Sequence, residues 1–213
     1  MKTCVIFCAG GFDRLAEPIG AEDLVIAADG GLIHTQALGL TPHVILGDFD
    51  SLGYIPQGAQ VFPVKKDDTD SMLAIRLGLE RGYGRFLLYG ALDGPRPDHT
   101  MANLQALGFL AASGAWGHLC GLTHRVSVVH QGSLHFSREA EGIVSVFCLG
   151  ADARGVTLEG LEYPLQDGTL TAAYPLGVSN HFTGAHATIT AAEGTLIVFY
   201  DATAGLPSED SLS

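Results

Sequence analysis

The chain has 213 residues, 47% of them hydrophobic, and a mean hydropathy of +0.27. That length supports one large core or two small ones, and the composition excludes an intrinsically disordered chain. A formal net charge of −12, from 11 basic and 23 acidic residues, argues against a general nucleic-acid binder, which needs a basic face. No stretch approaches the roughly 18 apolar residues of a membrane span. The first residues run straight into a strand pattern, without the apolar region of a signal peptide. Cys4, Cys8, Cys120 and Cys148 have no metal or redox spacing, so free thiols in a reducing, cytoplasmic setting are expected.

The first half alternates strands and helices. Residues 3–9 read as a buried strand ended by Gly10-Gly11, and residues 24–28 as a second ended by Asp29-Gly30-Gly31. A helical pattern follows through Leu32, Ile33, Ala37 and Leu38, closed by Gly39. Residues 43–46 form a third predicted strand and residues 60–64 a fourth. The run Lys65-Lys66-Asp67-Asp68-Thr69-Asp70 then leads into a helix carrying Leu73, Ile75, Leu77 and Leu79, ended by Gly82. Asp68, Thr69 or Asp70 could each cap it. Residues 86–89 are the fifth strand. Beyond them lie Asp93, Arg96, Asp98 and His99, and a helix with Met101, Leu104, Leu107 and Leu110 on one face. This alternation predicts a parallel sheet flanked by helices, whose ligands bind beyond the carboxyl ends of the strands.

After about residue 120 short alternating runs take over, separated by glycine and proline at intervals of roughly ten residues, the pattern of an antiparallel β-sandwich. The predicted fold is an N-terminal α/β domain over residues 1–122, a junction over 123–137 and a C-terminal all-β sandwich over 138–213. The small polar tail from Thr203 is expected to fray.

The chemistry concentrates in acidic residues just after strands. No P-loop, zinc spacing or full dinucleotide fingerprint occurs. In Leu46-Gly47-Asp48-Phe49-Asp50-Ser51, an extended backbone past Gly47 would point Asp48 and Asp50 to the same side, towards one hard cation, Mg²⁺ above all. The plainer reading of Asp-x-Asp is a solvated turn. Asp70 and Asp98 fall after neighbouring strands, where they could join a Mg²⁺–polyphosphate site or cap helices. Arg96 offers a planar fork suited to phosphate, and Lys65 or Lys66 a point charge.

At these residues the chain resembles the thiamine pyrophosphokinase (thiamine diphosphokinase) family. The matching segments are residues 28–31, 46–51, 66–70 and 96–104, with 155–165 and 177–180 in the second domain. The resemblance implies a homodimer that transfers diphosphate from ATP to the hydroxyl of thiamine with Mg²⁺, giving thiamine diphosphate and AMP. It implies catalytic and metal roles for Asp48, Asp50, Asp70 and Asp98, ATP or phosphate contacts from Asp29, Gly30, Lys66, Thr69 and Arg96, and thiamine contacts from Ser179, Asn180 and Asp48. Asp98 is the first choice for accepting the hydroxyl proton and Asp48 the second. Two departures stand out. The run before Asp98-His99 is one residue longer than the family's Gly-Gly-Arg-x-Asp-His, and His181 follows Ser179-Asn180 where an acidic residue is common. A pyrophosphokinase for another heterocyclic alcohol, such as a hydroxymethylpterin, and a nucleotide sensor without turnover are the rival readings.

Overall fold

The computed structural model describes residues 2–50, 52–63 and 67–211. The chain divides into two compact units, Met1–Ala106 with Gly117–Leu122, and Leu107–Trp116 with Thr123–Ser213.

The first unit is built on β1 (Thr3–Phe7), β2 (Leu24–Ala28), β3 (Val44–Gly47), β4 (Gln60–Val61), β5 (Arg85–Tyr89) and β6 (Trp116–Cys120). Its helices are α1 (Leu32–Ala37), α2 (Asp70–Glu80) and the first part of α3 (Pro97–Ala112), whose residues from Leu107 onward belong to the second unit. The strand order is β6-β5-β1-β2-β3-β4, and the pairs β5–β1, β1–β2, β2–β3 and β3–β4 are parallel. Every residue of β1 and β2 is buried, as expected of central parallel strands covered on both faces. The chain winds outward from β1 through β2, β3 and β4, then returns to the other side of β1 as β5. The C-terminal ends of β1 and β5 therefore flank the point where the strand order reverses, the usual crevice of such a sheet.

Helix α2 differs from its sequence pattern in the face it buries. Ser71, Ala74, Ile75 and Gly78 are buried, while Leu73, Leu77 and Leu79 are only half-buried. The reason is close approach: a Cβ at Gly78 would lie 2.5 Å from the Phe86 ring and 2.9 Å from Cys4 Sγ. Small residues set this contact, so the leucine spacing misplaces the buried face. Thr69 is the cap, its Oγ1 accepting from the Met72 N–H.

The second unit is antiparallel. Its strands are β7 (His124–Phe136), β8 (Ile143–Cys148), β9 (Ala153–Glu159), β10 (Leu165–Leu170), β11 (Gly177–His181), β12 (Ala187–Asp201) and β13 (Ser208–Ser211). Strand β12 pairs with β7 along both its halves, with a register shift between Ala191 and Thr195. Before the shift its other edge pairs with β9, and after it mainly with β8. Strand β10 extends β9 and β11 extends β8. Phe136, Val144, Val156, Leu158, Ile189 and Tyr200 are buried in one apolar core, with the Phe136 and Tyr200 rings edge-on at 5.0 Å. Trp116, the first residue of β6 and itself part of the second unit, is buried in the same core.

Two expectations need correcting here. Residues 123–137, read as a junction, hold the 13-residue strand β7. The tail does not simply fray: Ser208–Ser211 pairs antiparallel with residues 132–135 of β7. Its sequence is polar because pairing engages the backbone while most of its side chains stay exposed, so hydrophobic periodicity carries no trace of it.

Candidate active site

A cleft of about 390 Å³ opens in the first unit beyond the strand ends. Cys8, Ala9 and Gly10 line it after β1, Ala28 and Asp29 after β2, and Asp50 after β3. Thr69, Asp70 and Ser71 line it at the start of α2, and Gly90 and Ala91 after β5. Arg96, His99 and Asn103 line it at and near the start of α3.

Close backbone packing brings these segments together. Gly90 has φ +65°, and a Cβ there would lie 2.3 Å from the Cys8 carbonyl oxygen. Gly47 has φ +147°, and its Cβ position is 3.1 Å from the Asp29 backbone, which sets the end of β3 against Asp29. Glycine is the residue that fits both places.

The carboxylates that converge differ in membership from the set read in the sequence. Asp29, Asp48 and Asp50 offer carboxylate oxygens within 4.8 Å of one another. The Asp48–Asp50 pair converges through a turn and not along an extended strand. β3 stops at Gly47, Phe49 is buried with φ +58°, and the Asp50 N–H donates to Asp48 Oδ1 at 3.3 Å. Asp29 also has positive φ, at +48°. A left-handed conformation is unfavourable for a bulky residue such as Phe, and the burial of Phe49 holds it there. Three converging carboxylates are a donor set for a hard divalent cation, and an anionic Asp29 suits that role better than direct contact with phosphate.

The remaining residues fall as follows. Asp70 and Thr69 share the cleft with Asp29 and Asp50. Gly30 is buried in the tight turn Asp29–Gly31. Lys65 and Lys66 lie outside the described residues. Asp98 is not among the residues lining the cleft. Its exposed carboxylate takes both Arg96 Nε and Arg96 Nη2 as donors. This fork holds the Asp98 carboxyl below its usual range and raises the Arg96 guanidinium. Arg96 also starts α3: its carbonyl accepts from the His99 and Thr100 N–H groups, and Pro97 takes the first helical position. The Cys8 thiol is pushed up to about 12, first by burial and then by the Asp70 and Asp29 carboxylates, so it stays a neutral thiol at physiological pH.

The cleft has a polar support that apolar periodicity does not mark. Buried Ser71 donates to Asn103 Oδ1 at 2.8 Å, and Asn103 Nδ2 donates to the Ala91 carbonyl at 2.7 Å. Outside the lining, His34 Nε2 lies 2.8 Å from the Gly10 carbonyl oxygen, within hydrogen-bonding distance. Polar residues within helical apolar patterns were the available signal.

Comparison with known proteins decides the family. Residues 15–114 match the profile "Thiamin pyrophosphokinase, catalytic domain", and residues 131–196 match "Thiamin pyrophosphokinase, vitamin B1 binding domain". The chain belongs to the thiamine pyrophosphokinase family. A curated thiamine pyrophosphokinase of Bacillus subtilis is 27% identical over 210 residues, covering 93% of this chain and 98% of that protein. A crystal structure of thiamine pyrophosphokinase from Bacillus subtilis superposes with a TM-score of 0.83 at 25% identity, over 94% of this chain and 99% of the other. Thiamin pyrophosphokinase from Candida albicans shares the fold, with a TM-score of 0.74 at 14% identity over 94% and 88%.

The two departures from the thiamine pyrophosphokinase pattern have local explanations. In the lengthened run, Asp93 Oδ2 accepts from the Leu122 N–H and the Asp93 carbonyl accepts from Gly11, so this added carboxylate ties down the loop. In the second unit, His181 Nδ1 lies 3.4 Å from Glu162 Oε2, so an acidic group stands beside the histidine. Asn180 is buried; its Oδ1 accepts from Tyr163 N and its Nδ2 donates to the Tyr163 carbonyl. It fastens the Tyr163 segment to β11. Ser179 is exposed with φ +57°, its N–H donating to Ser145 Oγ.

Proposed function

We propose that this chain transfers a diphosphate group from ATP to thiamine, and that the cleft of the first unit is where the transfer occurs. The observation that carries this reading is the convergence of Asp29, Asp48 and Asp50 at the strand ends, with Asp29 and Asp50 lining the same cleft as Asp70 and Arg96. The thiamine hydroxyl oxygen attacks the β-phosphorus, the bond from that phosphorus to the α,β-bridging oxygen breaks, and AMP leaves. The hydroxyl proton passes to a carboxylate. Asp29, Asp48 and Asp50, with Asp70 beside them, are the residues that would hold Mg²⁺, which when bound neutralises phosphate charge. Arg96 supplies a bidentate donor to the transferring phosphates.

The Arg96–Asp98 pair gives the assignment of the base a physical condition. While Arg96 forks onto Asp98, the carboxylate is a poor proton acceptor. When Arg96 turns to phosphate, Asp98 regains the proton affinity of an ordinary carboxylate. ATP binding and base competence are then coupled, with Asp98 as the base and Asp48 as the alternative.

Thiamine contacts are assigned to Ser179, Asn180 and Asp48, and the working unit to a homodimer. Support for self-association comes from Ile143, Tyr163, Leu176 and Val178, large apolar side chains exposed on and beside β11. The cytoplasm is the proposed location; among the described residues no helix is long and apolar enough to cross a membrane. The test is purified protein with ATP, Mg²⁺ and thiamine, followed for AMP. AMP released with thiamine supports the reading, and AMP released only with a hydroxymethylpterin overturns it.

A further inference from the structure

One hydrogen-bond chain, buried at Ser71 and Asn103, joins three segments of the cleft. Ser71 is 9% exposed and Asn103 8%. Ser71 Oγ has one proton, and it goes to Asn103 Oδ1. The 3.0 Å contact between Thr69 Oγ1 and Ser71 Oγ must therefore be donated by Thr69, which leaves Thr69 a lone pair to accept from the Met72 N–H. The Asn103 amide then points its Nδ2 at the Ala91 carbonyl, an acceptor only. The direction of every bond is fixed, from the cap of α2 through α3 to the turn after β5. Thr100, one turn earlier on the same face of α3, donates to the next carbonyl of that turn, Leu92.

We propose that Asn103 is a positioning residue for the transfer reaction, fixing the start of α2, and with it Asp70, relative to the β5–α3 turn that leads into Arg96. The inference rests on the functional reading above. Asp70 and Arg96 lie on different elements, and Asn103 spans between the turn leading to one and the cap preceding the other. Its side-chain hydrogen bonds run to Ser71 and to the Ala91 carbonyl, so it acts on the chemistry through the placement of the segments that carry Asp70 and Arg96. A misplacement of about 1 Å in such a site lowers turnover on the order of 100-fold.

The test uses the full chain with Asn103→Ala, Ser71→Ala and the double variant. Each single variant is expected to lower kcat by about 10- to 100-fold while KM for thiamine changes less than about twofold, and the double variant to lose no more than Asn103→Ala alone. Single-variant losses that multiply in the double, or a change in KM with kcat intact, overturn the proposal. If Asn103→Ala does not fold, Asn103→Asp keeps the acceptor for Ser71 but has no N–H for Ala91. It is expected to lose kcat to the same degree, and wild-type kcat in it overturns the proposal. A wild-type chain that releases no AMP counts against the functional reading instead. Positioning is then read from amide exchange at Met72 and Leu73, which Asn103→Ala accelerates; unchanged exchange there overturns it.

Discussion

Replacing Asp50 by Asn has opposite effects on stability and on activity. Asp29, Asp48 and Asp50 place carboxylate oxygens within 4.8 Å of one another. Two unit charges at that distance repel by about 0.9 kcal/mol in a water-like medium and about 3.5 kcal/mol at an effective dielectric of about 20. Asp50 is exposed, so the lower figure applies and salt reduces it further. Removing one charge relieves two such repulsions, for a net gain of roughly 1 kcal/mol, or roughly 2–4 °C in melting temperature for a chain of this size. The Asn side chain is isosteric, and the Asp50 N–H that donates to Asp48 is kept. AMP formation, by contrast, should fall on the order of 100-fold, because one of the carboxylates proposed to hold Mg²⁺ is lost. Paired assays decide it: a thermal melt in EDTA and an AMP-coupled rate with thiamine. A melting temperature that falls in EDTA would show that the three carboxylates do not repel as their geometry requires. Near-wild-type turnover would remove Asp50 from the site.

Other consequences follow from single contacts. Asp98→Asn removes the partner of Arg96, so nucleotide binding should be retained or tightened in a calorimetric titration while kcat collapses; weakened ATP binding with kcat intact would contradict the partner exchange. Cys4 and Cys8 are both raised by burial from 9.0 to about 12. A raised folded value means their contribution to stability is complete below pH 9 and is lost as pH climbs towards 12, so Cys4→Ala/Cys8→Ala should show a shallower alkaline decline in chemical denaturation. An identical decline in both proteins would discount the thiols. Gly78→Ala forces a methyl group to within 2.5 Å of Phe86 and should destabilise the chain by about 1–3 kcal/mol by denaturant titration, despite Ala being the better helix former.

The parts of the fold legible in sequence were those written in periodicity and turn chemistry. Parallel strands β1, β2, β3 and β5 were readable because apolar runs ended in glycine or aspartate, and the acidic strand ends marked the cleft. The fourth strand, read over residues 60–64, is present as β4 at Gln60–Val61, whereas β13 is polar and carries no hydrophobic signature. The membership of the carboxylate group was not legible. Asp29 joins Asp48 and Asp50 because β2 and β3 are neighbours and Gly47 lets the backbones approach, a relation between segments that linear spacing does not contain. The same holds for Asn103, whose partners Ser71 and Ala91 lie 32 and 12 residues away.

In the proposed reaction two phosphates move together from ATP to thiamine. Supplying ATP labelled at the β-phosphorus, with Mg²⁺ and thiamine, tests it directly. The predicted result is label in thiamine diphosphate with one AMP released for each. Label remaining in ADP, with thiamine monophosphate as the product, would contradict it.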